Sequence, residues 1–329
     1  MMKITVTGAT GFAGSHVAVA LQDDGHAVSL LARDPSKLIA PLQKCRAIKG
    51  DLLEPATIRE AVAGADAVVH CAAYVGEWGS RDDYFRTNVA GTQNMIDACV
   101  AAGVRRFLHF SSNSVYGDGA GDHIAVAEET PFLKTGLYYC DSKIDAETRV
   151  FAAHEAGQIV ATAIRPGMIW GPRDRQFLPK IIDAIEHGVM MYPGTGRKLV
   201  GLTHVENIVA VIRLCLANDV SRGRVYNVDD DDRRTLRDLV GALCARLGRK
   251  PPKIAVPASL AKALATASEF VWKAAGAKTP PLLTKLGVYT LVYDNDVSVE
   301  RAKNELGYDP RELFDERLDA YLASYRAGE

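Results

Sequence analysis

The chain has 329 residues, enough for one large domain and a smaller companion, and its 48% hydrophobic content can fill both cores. A formal net charge of −1 supplies no basic field, which excludes nucleic acid as the partner. Six cysteines, at 45, 71, 99, 140, 215 and 244, show no metal-ligand spacing, so no metal is expected, and no uncharged apolar run reaches the roughly twenty residues that span a bilayer.

Strand-like runs fall at Ile4–Thr7, Ala27–Leu31, Cys45–Lys49, Ala67–Cys71, Arg106–Ser111 and Ile159–Arg165, with helical patterns between them. This βαβ alternation predicts an α/β fold, a Rossmann doubly wound parallel sheet with helices on both faces and ligands at the carboxyl ends of its strands. The first strand begins almost at the initiator methionine, which leaves no room for a signal peptide and predicts cytoplasmic residence.

Thr7-Gly8-Ala9-Thr10-Gly11-Phe12-Ala13-Gly14 follows strand one and leads into a helical run, Ser15–Leu21. Glycine allows the tight turn and leaves no Cβ to block a phosphate, and the helix start adds unpaired N–H groups and a positive dipole end. Gly8, Thr10, Gly11, Phe12 and Gly14 are therefore candidate residues for a dinucleotide pyrophosphate. At the end of strand two, Ala32 supplies no carboxylate for an adenosine ribose, whereas Arg33 and Lys37 can pair with a 2′-phosphate. NADP is favoured over NAD, with Asp34 the residue that could turn inward and select NAD. Asp51 and Leu52 follow strand three, where they can meet the adenine, and Ala72 and Ala73 follow strand four.

Trp78, after strand four, reads equally as a substrate wall and as a packing residue. His109, inside the apolar strand five, reads as a core histidine, and Ser111-Ser112 end that strand. Tyr139 and Lys143 lie four apart, so on a helix they share one face; an ammonium near a phenol favours the phenolate and lowers its pKa from about 10. Tyr138 competes as the phenol but has no lysine at that spacing. Beyond Pro172 the alternation breaks, which sets the domains at 1–171 for the dinucleotide and 172–329 for the substrate, with 204–228 returning to the first. In Pro257–Ala277, Leu260, Leu264, Ala267, Val271 and Ala274 form one helical stripe, either the buried side of a covering helix or an interfacial helix or lid that would give peripheral membrane contact.

The whole chain resembles the extended short-chain dehydrogenase/reductase family, through the glycine loop, Gly50-Asp51-Leu52, His70-Cys71-Ala72-Ala73, Asn88–Thr92, Ser111–Gly117, Tyr139–Lys143 and Arg165-Pro166-Gly167. The resemblance implies that Ser112 hydrogen-bonds the substrate oxygen, that Tyr139 is the general acid/base, and that Lys143 binds the nicotinamide ribose while holding the phenol's pKa down. It further implies that Asn88 orders its helix and a water in the proton relay, that Pro166 joins the cofactor residues, and that Asn113 and Ser114 lie near the substrate. A homodimer through helices near Tyr84–Ala101 and Tyr138–Ala153 is implied as well.

Several stretches are similar to the branch of 3β-hydroxysteroid dehydrogenases, sterol-carboxylate dehydrogenases and β-keto acid reductases: Gly76–Arg81, Gly196–Asn207 and Pro280–Thr284. The expected function is interconversion of a secondary alcohol and a ketone on a steroid-like or long-chain acid substrate, whose carboxylate Arg81 or Arg173 could orient. Val115-Tyr116-Gly117 is equally at home in nucleotide-sugar epimerases and dehydratases, which is the alternative. A redox sensor that binds the dinucleotide without turnover is the third reading.

Overall fold

The computed structural model describes residues 1–310 and 313–327. Seven parallel strands form the main sheet: β1 (Lys3–Thr7), β2 (Ala27–Ala32), β3 (Arg46–Lys49), β4 (Ala67–His70), β5 (Arg106–Phe110), β6 (Val160–Pro166) and β7 (Arg224–Val228), in the spatial order β7-β6-β5-β4-β1-β2-β3. This is the Rossmann arrangement, and the strand order reverses between β1 and β4, where ligands of such sheets bind. Register makes that edge flush: Thr7 lies opposite His70, and His70 opposite His109.

Successive residues of each strand serve opposite faces. On one face Val69, Leu108 and Ile164 pack with Val17 and Leu21 of α1 (Phe12–Asp23). On the other, Val68 and Phe107 meet α2 (Pro55–Val62) through Ile58, and the long helices that follow. A short α3 (Arg81–Tyr84) passes through a π-helical stretch (Phe85–Ala90) into α4 (Gly91–Ala102), which lies beside α5 (Tyr138–Glu155).

A smaller core gathers α6 (Leu178–Glu186), Trp170 and residues from beyond 235. Between these, the chain re-enters the main domain: α7 (Val205–Ala217) packs beside α1 on the first face, and β7 pairs with β6. After α8 (Leu236–Leu247), α9 (Ala258–Ala274) and α10 (Lys285–Val292), the chain returns a second time, because Ala302 and Leu306 of α11 (Glu300–Leu306) bury against the same face as α1. That second return is not signalled by the sequence pattern, which assigns everything beyond 228 to the substrate unit. α12 (Phe314–Ala327) closes the smaller core through Leu318 and Leu322.

The apolar stripe of α9 faces outward. Leu260, Leu264, Phe270, Val271 and Trp272 are exposed, while Ala261, Ala265 and Glu269 are buried, the two alanines against Val288 and Val292 of α10. Among the described residues, no helix is long and apolar enough to cross a membrane, and no group of His, Cys, Asp and Glu side chains could hold a metal.

Candidate active site

The glycine loop is a cradle that side chains would fill. Gly8 has φ +77°, and a Cβ there would stand 2.8 Å from the Ala72 nitrogen, so the loop lies directly on the end of β4. At Gly14 a Cβ would fall 2.3 Å from the Gly8 carbonyl oxygen, which keeps α1 tight against the turn. Gly11 caps α1 with no side-chain acceptor, so the first-turn amides point out of the loop unclaimed by any cap. Thr10 is exposed there, and Phe12 lies edge-on to His16 at 5.6 Å.

Arg173 belongs to this cradle and not to the substrate side where the sequence places it. A left-handed backbone, φ +69°, turns its guanidinium back so that Nη2 donates to Ser15 Oγ at 3.2 Å, and its buried Nε has no partner. A half-buried cation with an unmatched donor beside the start of α1 fits an anionic pyrophosphate. His16 lies in the same corner, where burial pushes its pKa down to about 4.

At the adenosine end, Arg33 is exposed just beyond β2. Asp34 does not turn inward: Oδ1 accepts from Ser36 N at 3.2 Å and Ser36 Oγ at 2.6 Å, capping the turn Pro35–Lys37, and Lys37 pairs with it at 3.7 Å. Asp51 closes its own turn by accepting from Leu53 N at 2.9 Å, and Leu52 is buried under Gly91.

Strand ends β1, β4 and the π-helix are tied by one ordered chain of hydrogen bonds. Thr92 Oγ1 donates to the Asn88 carbonyl at 2.6 Å, so it must accept from His70 Nε2 at 3.1 Å. His70 Nδ1 is then the acceptor for Thr7 Oγ1 at 2.9 Å, and Thr7 Oγ1 accepts from Ala72 N at 3.0 Å. Burial and then the charge of Lys143 push His70 down to about 3, which keeps the imidazole neutral in the tautomer this chain requires. Ala73 lies just beyond. Asn88 itself is a brace: its side chain accepts from Tyr74 N at 2.6 Å and donates to Ser142 Oγ at 2.9 Å.

Tyr139 and Lys143 lie in the first turns of α5. Lys143 Nζ donates to the Phe110 carbonyl at 2.7 Å, at the end of β5, and burial lowers its pKa to about 8. Burial pushes the Tyr139 phenol well up, and the nearby Ser112 hydroxyl works against that shift. The lowering that the sequence ascribes to Lys143 is therefore not what this structure shows; the ammonium is engaged at β5, and its field reaches His70, Cys71 and His109.

The serine pair is divided. Ser111 donates to Glu147, which is buried in a pair with Arg165; Arg165 Nη1 also donates to Tyr116 Oη at 2.8 Å, and Tyr116 donates to Asn227 at 2.7 Å. Burial opposes the charge on Arg165, and Glu147 more than offsets it. Tyr116 is thus held inside this network. Ser112 caps the turn Asn113–Tyr116 by accepting from Ser114 N at 3.2 Å. Ser114 is buried behind it against Cys140, with Asn113 half-buried, so neither is among the residues lining the cleft described next. Pro166 is buried at the end of β6, and His109 is a buried neutral imidazole.

Tyr139 lines a cleft whose walls are Trp78, Tyr84, Leu137 and Tyr138 on one side and Glu269, Lys273, Lys285 and Leu286 of α9 and α10 on the other. Trp78 is both a wall and a tie, since its Nε1 donates to the Ala277 carbonyl at 3.1 Å. Arg81 does not enter; its guanidinium lies 4.0 Å over the Phe85 ring. The α9 and α10 residues carry no motif; the sequence marks α9 only through the stripe that could form a lid, and gives no signal for Lys285 or Leu286.

A dinucleotide cradle and a Ser112–Tyr139 hydroxyl pair on one edge of a Rossmann sheet define a dinucleotide-dependent oxidoreductase. Residues 4–229 match the NAD dependent epimerase/dehydratase family. A 2-alkyl-3-oxoalkanoate reductase of Stenotrophomonas maltophilia is 32% identical, covering 99% of this chain and 100% of its own. The human sterol-4-alpha-carboxylate 3-dehydrogenase, decarboxylating, is 29% identical over 98% of this chain and 88% of its own. Among solved structures, MoeE5 in complex with UDP-glucuronic acid and NAD is 25% identical with a TM-score of 0.79, covering 99% of this chain and 100% of that one. The chain belongs to the NAD dependent epimerase/dehydratase family, as an enzyme of the extended short-chain dehydrogenase/reductase type.

Proposed function

We propose that this enzyme interconverts a secondary alcohol and a ketone on a steroid- or sterol-like substrate or a long-chain hydroxy or keto acid, with NADP(H) favoured over NAD(H). The observation that supports it is the placement of Tyr139 in a cleft walled by Trp78, Tyr84, Tyr138 and Leu286, with the Ser112 hydroxyl buried behind it against the phenol. A bound nicotinamide dinucleotide supplies the hydride chemistry. The chain's own part is to hold the proton and the oxygen. With its pKa pushed up, Tyr139 keeps its proton and can give it to a ketone oxygen, while Ser112 donates a second hydrogen bond and the Lys143 ammonium adds positive charge.

NADP is supported by Arg33, exposed at the end of β2, and by the engagement of Asp34 at its own turn. Gly8, Thr10, Gly11, Phe12, Gly14 and Arg173 would hold the pyrophosphate, with Asp51 and Leu52 at the adenine. The enzyme works in the cytoplasm on this reading, as a homodimer through α4 and α5, with the outward apolar face of α9 as its contact with a membrane surface.

A second reading is a nucleotide-sugar epimerase or dehydratase, favoured by the likeness to MoeE5. Net change in the nicotinamide redox state separates the two, because an epimerase or dehydratase returns the hydride within its cycle. A sensor without turnover has no use for the Ser112–Tyr139 pair.

A further inference from the structure

Four charged side chains line the cleft beside Tyr139: Glu77, Glu269, Lys273 and Lys285. Both acids are committed. Glu77 accepts from Lys180 Nζ at 2.7 Å through one oxygen and from the Thr284 hydroxyl through the other. Glu269 accepts the backbone N–H of Lys285 at 2.7 Å, and its second oxygen lies 3.5 Å from Lys273 Nζ.

The bases are not matched in the same way. Among the described residues no acceptor meets the Lys285 ammonium, and Lys273 has only that long contact while its Nζ stands 5.5 Å from the Trp78 ring centroid and 6.0 Å from that of Tyr138. Because Lys180 already balances Glu77, the cleft keeps one cation without a counter-charge.

We infer that Lys285, assisted by Lys273, forms a subsite for a carboxylate on the substrate, close to the carbonyl or alcohol that Tyr139 addresses. The inference rests on the proposed alcohol–ketone chemistry and narrows it to acids. It also replaces Arg81 and Arg173 as carboxylate holders, since the first lies over Phe85 and the second faces Ser15.

The test compares a long-chain 3-hydroxy acid with its methyl ester, in the wild type and in Lys285→Met, Lys273→Met and Lys285→Arg. The wild type should prefer the acid. In Lys285→Met the acid-to-ester ratio of kcat/KM should fall about ten- to a hundredfold, mostly through KM for the acid, with a smaller fall in Lys273→Met and recovery in Lys285→Arg. An unchanged ratio in Lys285→Met, or a wild type indifferent to the carboxylate, overturns the subsite. Calorimetric binding of the acid to the dinucleotide-loaded protein keeps the two claims apart. If the acid binds, Lys285→Met weakens it tenfold or more and no variant turns it over, the subsite stands and the proposed activity falls. Equal binding of acid to wild type and Lys285→Met overturns the subsite whatever the turnover.

Discussion

Ser111 donates its hydroxyl to Glu147, while Ser112, next in sequence, has its hydroxyl beside the Tyr139 phenol. Adjacent strand-end residues point to opposite faces, so only one of the two hydroxyls can reach Tyr139. Ser112→Ala should lower kcat by about 10²–10³ with the fold intact, as loss of one oxyanion donor does. Ser111→Ala should instead cost about 1–3 kcal/mol of stability by leaving a Glu147 oxygen short of a donor, and keep most of kcat. Steady-state kinetics and urea unfolding of the two variants separate these effects.

Arg165 and Glu147 form a buried ion pair, 4% and 1% exposed, under the site. Removing one partner strands the other charge in a low dielectric. Glu147→Ala should therefore destabilise by about 3–5 kcal/mol, while the joint replacement Arg165→Met with Glu147→Leu should cost much less than the sum of the singles. Thermal unfolding of Glu147→Ala, of the two singles and of the double variant checks it, and additive losses would refute the pairing.

Asp118 is buried beside Cys140, whose Sγ lies 3.5 Å from Oδ2, and burial raises its pKa to about 6 despite that contact. Between about pH 4 and about pH 6 the folded protein holds a proton that the unfolded chain has lost, so this group's contribution to stability falls as pH rises through that window. Asp118→Asn removes the dependence. Relative to wild type, the variant should gain about 2–3 kcal/mol across the window and hold the gain above it. A difference that stays constant with pH in urea midpoints would contradict the assignment.

The proposed NADP preference rests on Arg33 and Lys37. Arg33→Ala should weaken NADP about ten- to a hundredfold and leave NAD within a few-fold, because a guanidinium–phosphate pair is worth about 1.5–3 kcal/mol. Asp34→Asn should change the preference little, since its carboxylate is occupied by Ser36. Dissociation constants for both dinucleotides from fluorescence titration decide the matter.

What could be read from the sequence divides along a physical line. β1 to β6 fall within a residue or so of the predicted runs, because buried parallel strands are continuous hydrophobic segments between loops, and the largely exposed edge strand β3 is marked instead by its place in the alternation. Gly8, Tyr139 and Lys143 carry local signals, in backbone geometry and helical spacing. Arg173 does not: its direction is set by a left-handed φ that no neighbour announces, and so the pyrophosphate side is where the structure finds it. The α9 stripe shows the same limit, because periodicity reports one face but not which way it turns: the sequence leaves a covering helix and an interfacial helix or lid both open, and the structure turns the stripe outward while the smaller Ala261 and Ala265 pack on α10. Lys273 and Lys285 meet Tyr139 only through the tertiary fold, across more than a hundred residues of sequence.

Net formation of reduced nicotinamide, followed with NADP and NAD separately against 3β-hydroxysteroids, sterol carboxylates and long-chain 3-hydroxy acids, tests the central claim most directly. Stoichiometric reduction with at least one of these classes, lost in Tyr139→Phe while dinucleotide binding is kept, is the expected result. No net reduction with any of them, together with conversion of a nucleotide sugar by the same preparation, would contradict it.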